Sequence, residues 1–168
     1  MYKLELEYIK YDENMTSLQR RDLEHRVAYD LLFRLLSSTF GISKPNILKN
    51  ENGKPYLEND GVHFSISHTK GLAVCVVADT PVGVDCEKLT SRTPEEIKKF
   101  ANRFFVKNEI DLLEAGGYSP LDFYKVWTAK EATIKKHGSN MSQVKKIDTT
   151  QENILVSLEN DYIISINI

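Results

Sequence analysis

The sequence predicts an α+β fold with largely antiparallel sheets, and three observations carry that prediction. Short runs alternating apolar and polar residues occur at both ends of the chain and in its middle, the period-2 signature of half-buried strands. Two longer runs repeat apolar residues at helical spacing and open on residues that cap helices. Between them, strand-like runs follow one another across short turns as a β-meander, which makes neighbouring strands antiparallel.

At the amino end, Tyr2, Leu4, Leu6 and Tyr8 alternate with Lys3, Glu5 and Glu7, as in a strand with one buried face. Thr16 and Gln19 make a capping box for a helix carrying Leu18, Leu23, Val27, Leu31, Leu32, Leu35 and Leu36, and Gly41 supplies its stop. The first half of that helix is basic, with Arg20, Arg21 and Arg26. The stretch from Asn50 to Gly61 is turn-rich: Asn52-Gly53 and Asp60-Gly61 favour the positive φ angles of tight turns, with a short run from Pro55 to Leu57 between them. "VHFSIS", "LAVCVVA" and, after an Asp79-Thr80-Pro81 turn, "VGVDCE" form the meander at the centre of the sheet. Thr93, Pro94 and Glu96 start a second helix bearing Ile97, Phe100, Phe104 and Phe105. A short helix after Asn108 ends at Gly116-Gly117, a longer one begins near Pro120, and "NILVSLENDYIISINI" reads as a hairpin around Asn160-Asp161.

With 41% hydrophobic residues in 168, the chain can build one compact domain or two small lobes sharing a core. A net charge of −2 provides no basic field for nucleic acid or an anionic membrane, so any anion site must be local. Cys75 and Cys86 sit in apolar strand-like runs without His or Cys at zinc-ligand spacing, and both are expected as buried free thiols. The amino end alternates instead of forming a signal segment, and no apolar run approaches the roughly 18 residues of a membrane span. These features lead to the expectation of a cytoplasmic enzyme or binding protein.

Candidate chemistry is concentrated in two places. In "VGVDCE", Asp85 and Glu87 are two apart, so both carboxylates leave the same strand face. Such a pair is either an exposed acidic face or a site for a hard cation such as magnesium, which takes carboxylate, phosphate and water oxygens. In "FYKVWTAKEATIKK", helical spacing puts Phe123, Val126, Trp127 and Ile134 on one apolar face, yet Lys130 falls inside that arc and Glu131 borders it. An unpaired charge there would cost several kcal/mol. Glu131 could supply a third carboxylate facing Asp85 and Glu87, and Lys130 and Lys135 could meet phosphate oxygens; for Lys130, pairing with a buried acid is the alternative. His68 ends an apolar strand, and Lys54 is held extended by Pro55.

Taken in order, "NGKPYL", "HFSISHTKGLAVCVVA", "VGVDCEKL", "ANRFFVKNE" and "FYKVWTAKEATIKKHG" resemble the signature blocks of the 4′-phosphopantetheinyl transferases, of the two-lobed type that activates peptide and polyketide synthetases. The resemblance implies two similar α+β lobes, 1–80 and 81–168, with a cofactor cleft between them. It implies transfer of the 4′-phosphopantetheine arm of coenzyme A to a serine of an apo acyl or peptidyl carrier protein, releasing adenosine 3′,5′-bisphosphate. By the same resemblance, Asp85, Glu87 and Glu131 correspond to magnesium ligands, Glu131 also to the base, and Lys135 to a pyrophosphate contact. Ser67 and His68 match the block that contacts coenzyme A phosphates, Lys54 and Pro55 the adenine side, and Arg26 a basic residue near the 3′-phosphate. A monomer is expected, because one chain supplies both lobes. The amino-terminal lobe is shorter than usual, and Ser139-Asn140 replace the Lys-Gly pair that often follows Gly138. Phe104, Phe105 and the residues after Lys136 are candidates for the carrier surface, the alternative being that both Phe residues belong to the core. Two other readings use the same residues: a non-catalytic coenzyme A or carrier-binding module, and a magnesium-dependent nucleotide hydrolase.

Overall fold

The computed structural model describes residues 1–58 and 61–168; Asp60, expected to share a turn with Gly61, therefore lies outside the described residues. The elements are β1 (Tyr2–Tyr8), α1 (Ser17–Phe40), β2 (Ile47–Lys49), β3 (Pro55–Leu57), β4 (His63–Thr69), β5 (Leu72–Ala78), β6 (Gly83–Lys88), α2 (Pro94–Phe104), α3 (Lys107–Ala115), α4 (Pro120–His137), β7 (Ile154–Glu159) and β8 (Tyr162–Asn167). Two 3₁₀ segments, Met141–Lys146 and Thr149–Gln151, connect α4 to β7. Neither these segments nor β2 has a strong sequence signal, and α3 starts slightly earlier than its spacing predicts.

Helix boundaries follow local chemistry. Thr16 and Gln19 exchange side-chain and backbone hydrogen bonds at the start of α1, and Thr93 and Glu96 do the same for α2. α1 stops at Gly41 and α4 at Gly138, both left-handed (φ 69° and 63°), where a Cβ would be strained. Asn160 takes φ 55° in the turn of the β7–β8 hairpin.

Two three-stranded antiparallel sheets share one topology. The first runs β1-β5-β4 and the second β6-β8-β7, each in the order first, third, second. In each, helix lies between the first and second strands in sequence: α1 in one, α2 to α4 in the other. β2 and β3 form a separate hairpin.

Strand alternation decides how the layers stack. Ala73, Cys75 and Val77 of β5 pack on Leu31, Leu32 and Leu35 of α1. The residues between them, Leu72, Val74, Val76 and Ala78, meet Val84 and Cys86 of β6 and Tyr162, Ile164 and Ile166 of β8. A third cluster joins α2, α3 and α4 to Ile163 on the other face of β8. The order of layers is therefore helix, sheet, sheet, helices, and the two α+β halves meet sheet to sheet.

Two expectations need correction. Phe105, offered as part of a surface, is 4% exposed, stacked on Phe123, and belongs to the third cluster. The buried part of α4 is also wider than one apolar stripe: Tyr124, Thr128, Ala129, Ala132 and Thr133 are buried as well. The small residues let the helix lie against the sheet. A Cβ on Gly83 of β6 would come within 1.9 Å of the Ala132 carbonyl oxygen. Among the described residues no helix is long and apolar enough to cross a membrane. Cys75 and Cys86 are free and buried, and burial pushes both thiols far above their ordinary pKa.

Candidate active site

The candidate site forms where the edge of one sheet meets the edge of the other. On β4, Ser65, Ser67 and Thr69 alternate with Phe64, Ile66 and His68, so the hydroxyls share one face. Each reaches β6: Val84 N–H donates to Ser65 Oγ (3.0 Å), Ser67 Oγ donates to Asp85 Oδ1 (2.8 Å), and Thr69 Oγ1 lies 3.4 Å from Glu87 Oε2. Hydroxyls thus serve the β6 edge where no strand ladder is available.

α4 delivers the remaining groups from the other side. Lys135 Nζ is 2.7 Å from Asp85 Oδ1 and donates to Ser67 Oγ at 2.9 Å. Asp85 is 2% exposed, which rules out the exposed acidic face. Its second oxygen, Oδ2, is buried without a hydrogen-bond partner. Burial, then the Asp85 charge, raises the Glu87 pKa; burial and the charges of Asp85 and Glu87 raise that of Glu131, with Lys135 opposing. For Lys135, burial would lower the pKa, but Asp85 and Glu131 raise it overall. Three carboxylates thus share one ammonium. Among the described residues, no three His, Cys, Asp or Glu side chains already stand as a metal cage.

Two neighbouring cavities have Ile66 and Lys135 in both of their linings, and together they make up the candidate groove. One, of about 230 Å³, is walled by His25, Ser67, His68, Asp85, Glu87 and Glu131. The other, of about 250 Å³, is lined by Gly53, Lys54, Pro55, Phe64, Ile134 and Ser139. The turn that carries Lys54 is fastened to the end of α4. Asn50 and Asn52 donate to the Gly138 carbonyl (3.0 and 2.9 Å), Lys54 Nζ donates to the Lys136 carbonyl (3.1 Å), and Asn140 donates to Asn52 Oδ1 (3.0 Å). The Asn50, Asn52 and Lys54 donors satisfy carbonyls that a helix end leaves free. Burial lowers the Lys54 pKa.

The groove therefore brings together Lys54, Pro55, Ser67, His68, Asp85, Glu87, Glu131 and Lys135. Lys130 is not among them. It is fully buried, with Nζ 2.7 Å from Glu109 Oε2 and hydrogen-bonded to the Ile147 carbonyl. Its assignment as a cofactor contact is corrected to the alternative, pairing with a buried acid, because Nζ is held by Glu109 and the Ile147 carbonyl and Lys130 lines neither cavity. Arg26 is also displaced: it borders a different cavity with Met15, Gln19, Asp22 and Leu23, while its neighbour His25 lines the groove. Adjacent helical residues point about 100° apart, so sequence proximity could not make that choice.

Sequence reasoning missed Glu24, Tyr11 and His25. Glu24 had the same signal that drew attention to Lys130: it sits at helical spacing with Ala28, Leu31 and Leu35 on the buried face of α1. His68 Nδ1 lies 3.3 Å from Glu24 Oε2, and Glu24 Oε1 accepts from the Tyr11 hydroxyl. Burial lowers the His68 pKa, with Glu24 acting against it.

Comparison with known proteins bears on what this groove is. A family model described as the 4′-phosphopantetheinyl transferase superfamily matches residues 81–164, from just before β6 into β8. The chain is 36% identical over 115 residues to 4′-phosphopantetheinyl transferase gsp of Aneurinibacillus migulanus, covering 66% of this chain and 46% of that protein. It is 33% identical over 129 residues to 4′-phosphopantetheinyl transferase Sfp of Bacillus subtilis (73% and 56%). It is 30% identical over 139 residues to 4′-phosphopantetheinyl transferase HetI of Nostoc sp. (74% and 57%). The chain spans about half the length of the curated relatives it matches. The matched family segment contains the strand carboxylates and the helix that faces them, and on that match the chain belongs to the 4′-phosphopantetheinyl transferase superfamily.

Proposed function

We propose that this protein transfers the 4′-phosphopantetheine arm of coenzyme A to a serine hydroxyl of an apo acyl or peptidyl carrier protein, with magnesium, releasing adenosine 3′,5′-bisphosphate. The observation that carries the reading is the convergence of three carboxylates and Lys135 at one end of a groove whose other end holds Lys54 and Pro55. A coenzyme nucleotide at the Lys54 end would bring its pyrophosphate past Ser67 and His68 to Lys135. Lys135 and His68 would then hold phosphate oxygens and orient the phosphorus for attack.

The donor set fits magnesium. Asp85, Glu87 and Glu131 offer only hard oxygen donors, their charge exceeds that of Lys135, and buried Asp85 Oδ2 has an acceptor site to spare. These three residues would hold the ion, which when bound would neutralise pyrophosphate charge. Glu131, which lines the same cavity as Asp85, Glu87 and Lys135, is also the proposed base for the carrier hydroxyl. The nucleophile belongs to the carrier, so no activated Ser or Cys is needed here. We assign the lobes as 1–80 and 81–168, because α1 with its sheet precedes that boundary and α2 to α4 with theirs follow it. One chain supplies both walls, so a monomer suffices, and two free thiols fit a cytoplasmic setting.

The test is the mass of the product. With magnesium and coenzyme A, the full chain should add one phosphopantetheine to a panel of apo carriers, whereas Glu131→Gln and Asp85→Asn should remain folded and add none. An unmodified panel would refute the transfer, and full activity in both variants would refute the residue assignment.

A further inference from the structure

Glu24 is a carboxylate with only 12% of its side chain exposed, facing inward from α1, and such a group is costly unless satisfied. Its two oxygens have different partners. Oε1 accepts from the Tyr11 hydroxyl, which itself accepts from the Gly71 N–H at 2.6 Å. Oε2 lies 3.3 Å from His68 Nδ1, off the axis of a good hydrogen bond, and that buried nitrogen has no better partner. Tyr11 follows β1 and Gly71 lies in the β4–β5 turn, so Glu24 is braced by the backbone next to His68 itself. The His25 ring closes the edge of His68, with centroids 6.2 Å apart and planes at 84°.

A carboxylate 3.3 Å from Nδ1 favours a proton on that nitrogen, and when the ring takes its second proton Nε2–H is the donor left for the cavity that His68 lines. We infer that Glu24, braced by Tyr11, is a positioning residue that holds the His68 ring so that, in the protonated ring, Nε2–H donates to the phosphates of a coenzyme A-type ligand in the groove. This rests on the proposed function for the identity of the ligand, while the ring orientation stands on the ligand-free geometry. A simple α1-to-sheet staple would make the same contacts but would not couple Glu24 to ligand affinity through His68.

Two measurements separate these cases. The first is calorimetric titration of coenzyme A into wild type, Glu24→Gln, His68→Ala and the double variant, each checked for folding by circular dichroism. Glu24→Gln should weaken binding about tenfold, the scale of one hydrogen bond to a charged group, and add less than about twofold on the His68→Ala background. Equal losses in both backgrounds, or none in either, overturn the inference. The second is the ¹⁵N spectrum of the histidine rings in the ligand-free chain at a pH where they are neutral. His68 should be the Nδ1–H tautomer in wild type and shift toward Nε2–H in Glu24→Ala; an Nε2–H wild type overturns the inference independently. If wild type binds no coenzyme A while the tautomer result holds, the proposed function fails and the positioning of His68 stands.

Discussion

Replacing Lys130 by methionine separates a structural from a ligand-binding role for the charge inside α4. Lys130 and Glu109 are each 0% exposed and 2.7 Å apart. In Lys130→Met the apolar stem is kept while Glu109 loses its counter-ion and the Ile147 carbonyl loses its donor. Stranding one member of a buried pair costs about 3–5 kcal/mol. Glu109 retains hydrogen bonds from the Val106 and Thr149 N–H groups (3.0 Å each) and from the Thr149 hydroxyl (2.8 Å). That places the loss near the lower end, about 3 kcal/mol, since the carboxylate stays partly solvated by the protein. At about 2–4 °C per kcal/mol for a chain of this size, Tm should fall by about 6–12 °C. Differential scanning calorimetry reads the shift, and titration of coenzyme A well below Tm reads the site. Affinity should change less than about twofold, and adding Glu109→Gln should recover part of the lost stability by removing the stranded charge. A shift below about 2 °C accompanied by loss of coenzyme A binding would refute the reasoning and return Lys130 to the groove.

Other perturbations test the frame around the site. Gly83→Ala would drive a Cβ to 1.9 Å from the Ala132 carbonyl oxygen and 2.5 Å from the Lys136 nitrogen, both backbone atoms; thermal denaturation should show a loss of about 3 kcal/mol or more, and an unchanged Tm would contradict the close approach of β6 and α4. Cys75 and Cys86, buried and with raised pKa, should be nearly inert to a thiol reagent at pH 8 in the native protein and react together in urea; rapid native labelling would count against the two-sheet core. The Tyr11 hydroxyl, raised to about 12 by burial and its hydrogen bond to Glu24, stays protonated in the folded chain between pH 10 and about 12 while the unfolded chain releases the proton. Its contribution to stability is complete below pH 10 and disappears as pH rises through that window. Ultraviolet titration should show a late tyrosinate component that Tyr11→Phe removes; no change on substitution would refute the part-buried Tyr11–Glu24 contact.

The readability of the site followed the distance over which each interaction acts. Asp85 and Glu87 share a strand face because successive residues alternate, and Glu131 and Lys135 share a helix face because four residues make about one turn. Lys130 could be recognised as misplaced on an apolar arc, but Glu109 lies on another helix and nothing in its spacing marks it as the partner. Glu24 carried an equivalent signal, a carboxylate on the buried face of α1, and its meaning depended on His68 arriving from β4. Arg26 and His25 are neighbours in sequence, yet only the seating of α1 on its sheet turned His25, not Arg26, toward the groove.

By itself the sequence determined the local parts of this protein: capped helices, alternating strands, glycine stops, and the i, i+2 and i, i+4 pairs of charged residues. Those features depend on backbone geometry and on side chains within about one turn of each other, so they are written in adjacent residues. Only the tertiary structure decided that two sheets of the same topology stack face to face, and that the hydroxyls of β4 serve the edge of β6. The fastening of the Asn50–Lys54 turn to the end of α4 was decided at the same level. Burial converts an ordinary charge into one that must find a partner, and that partner is chosen by whichever element the folded chain brings within reach.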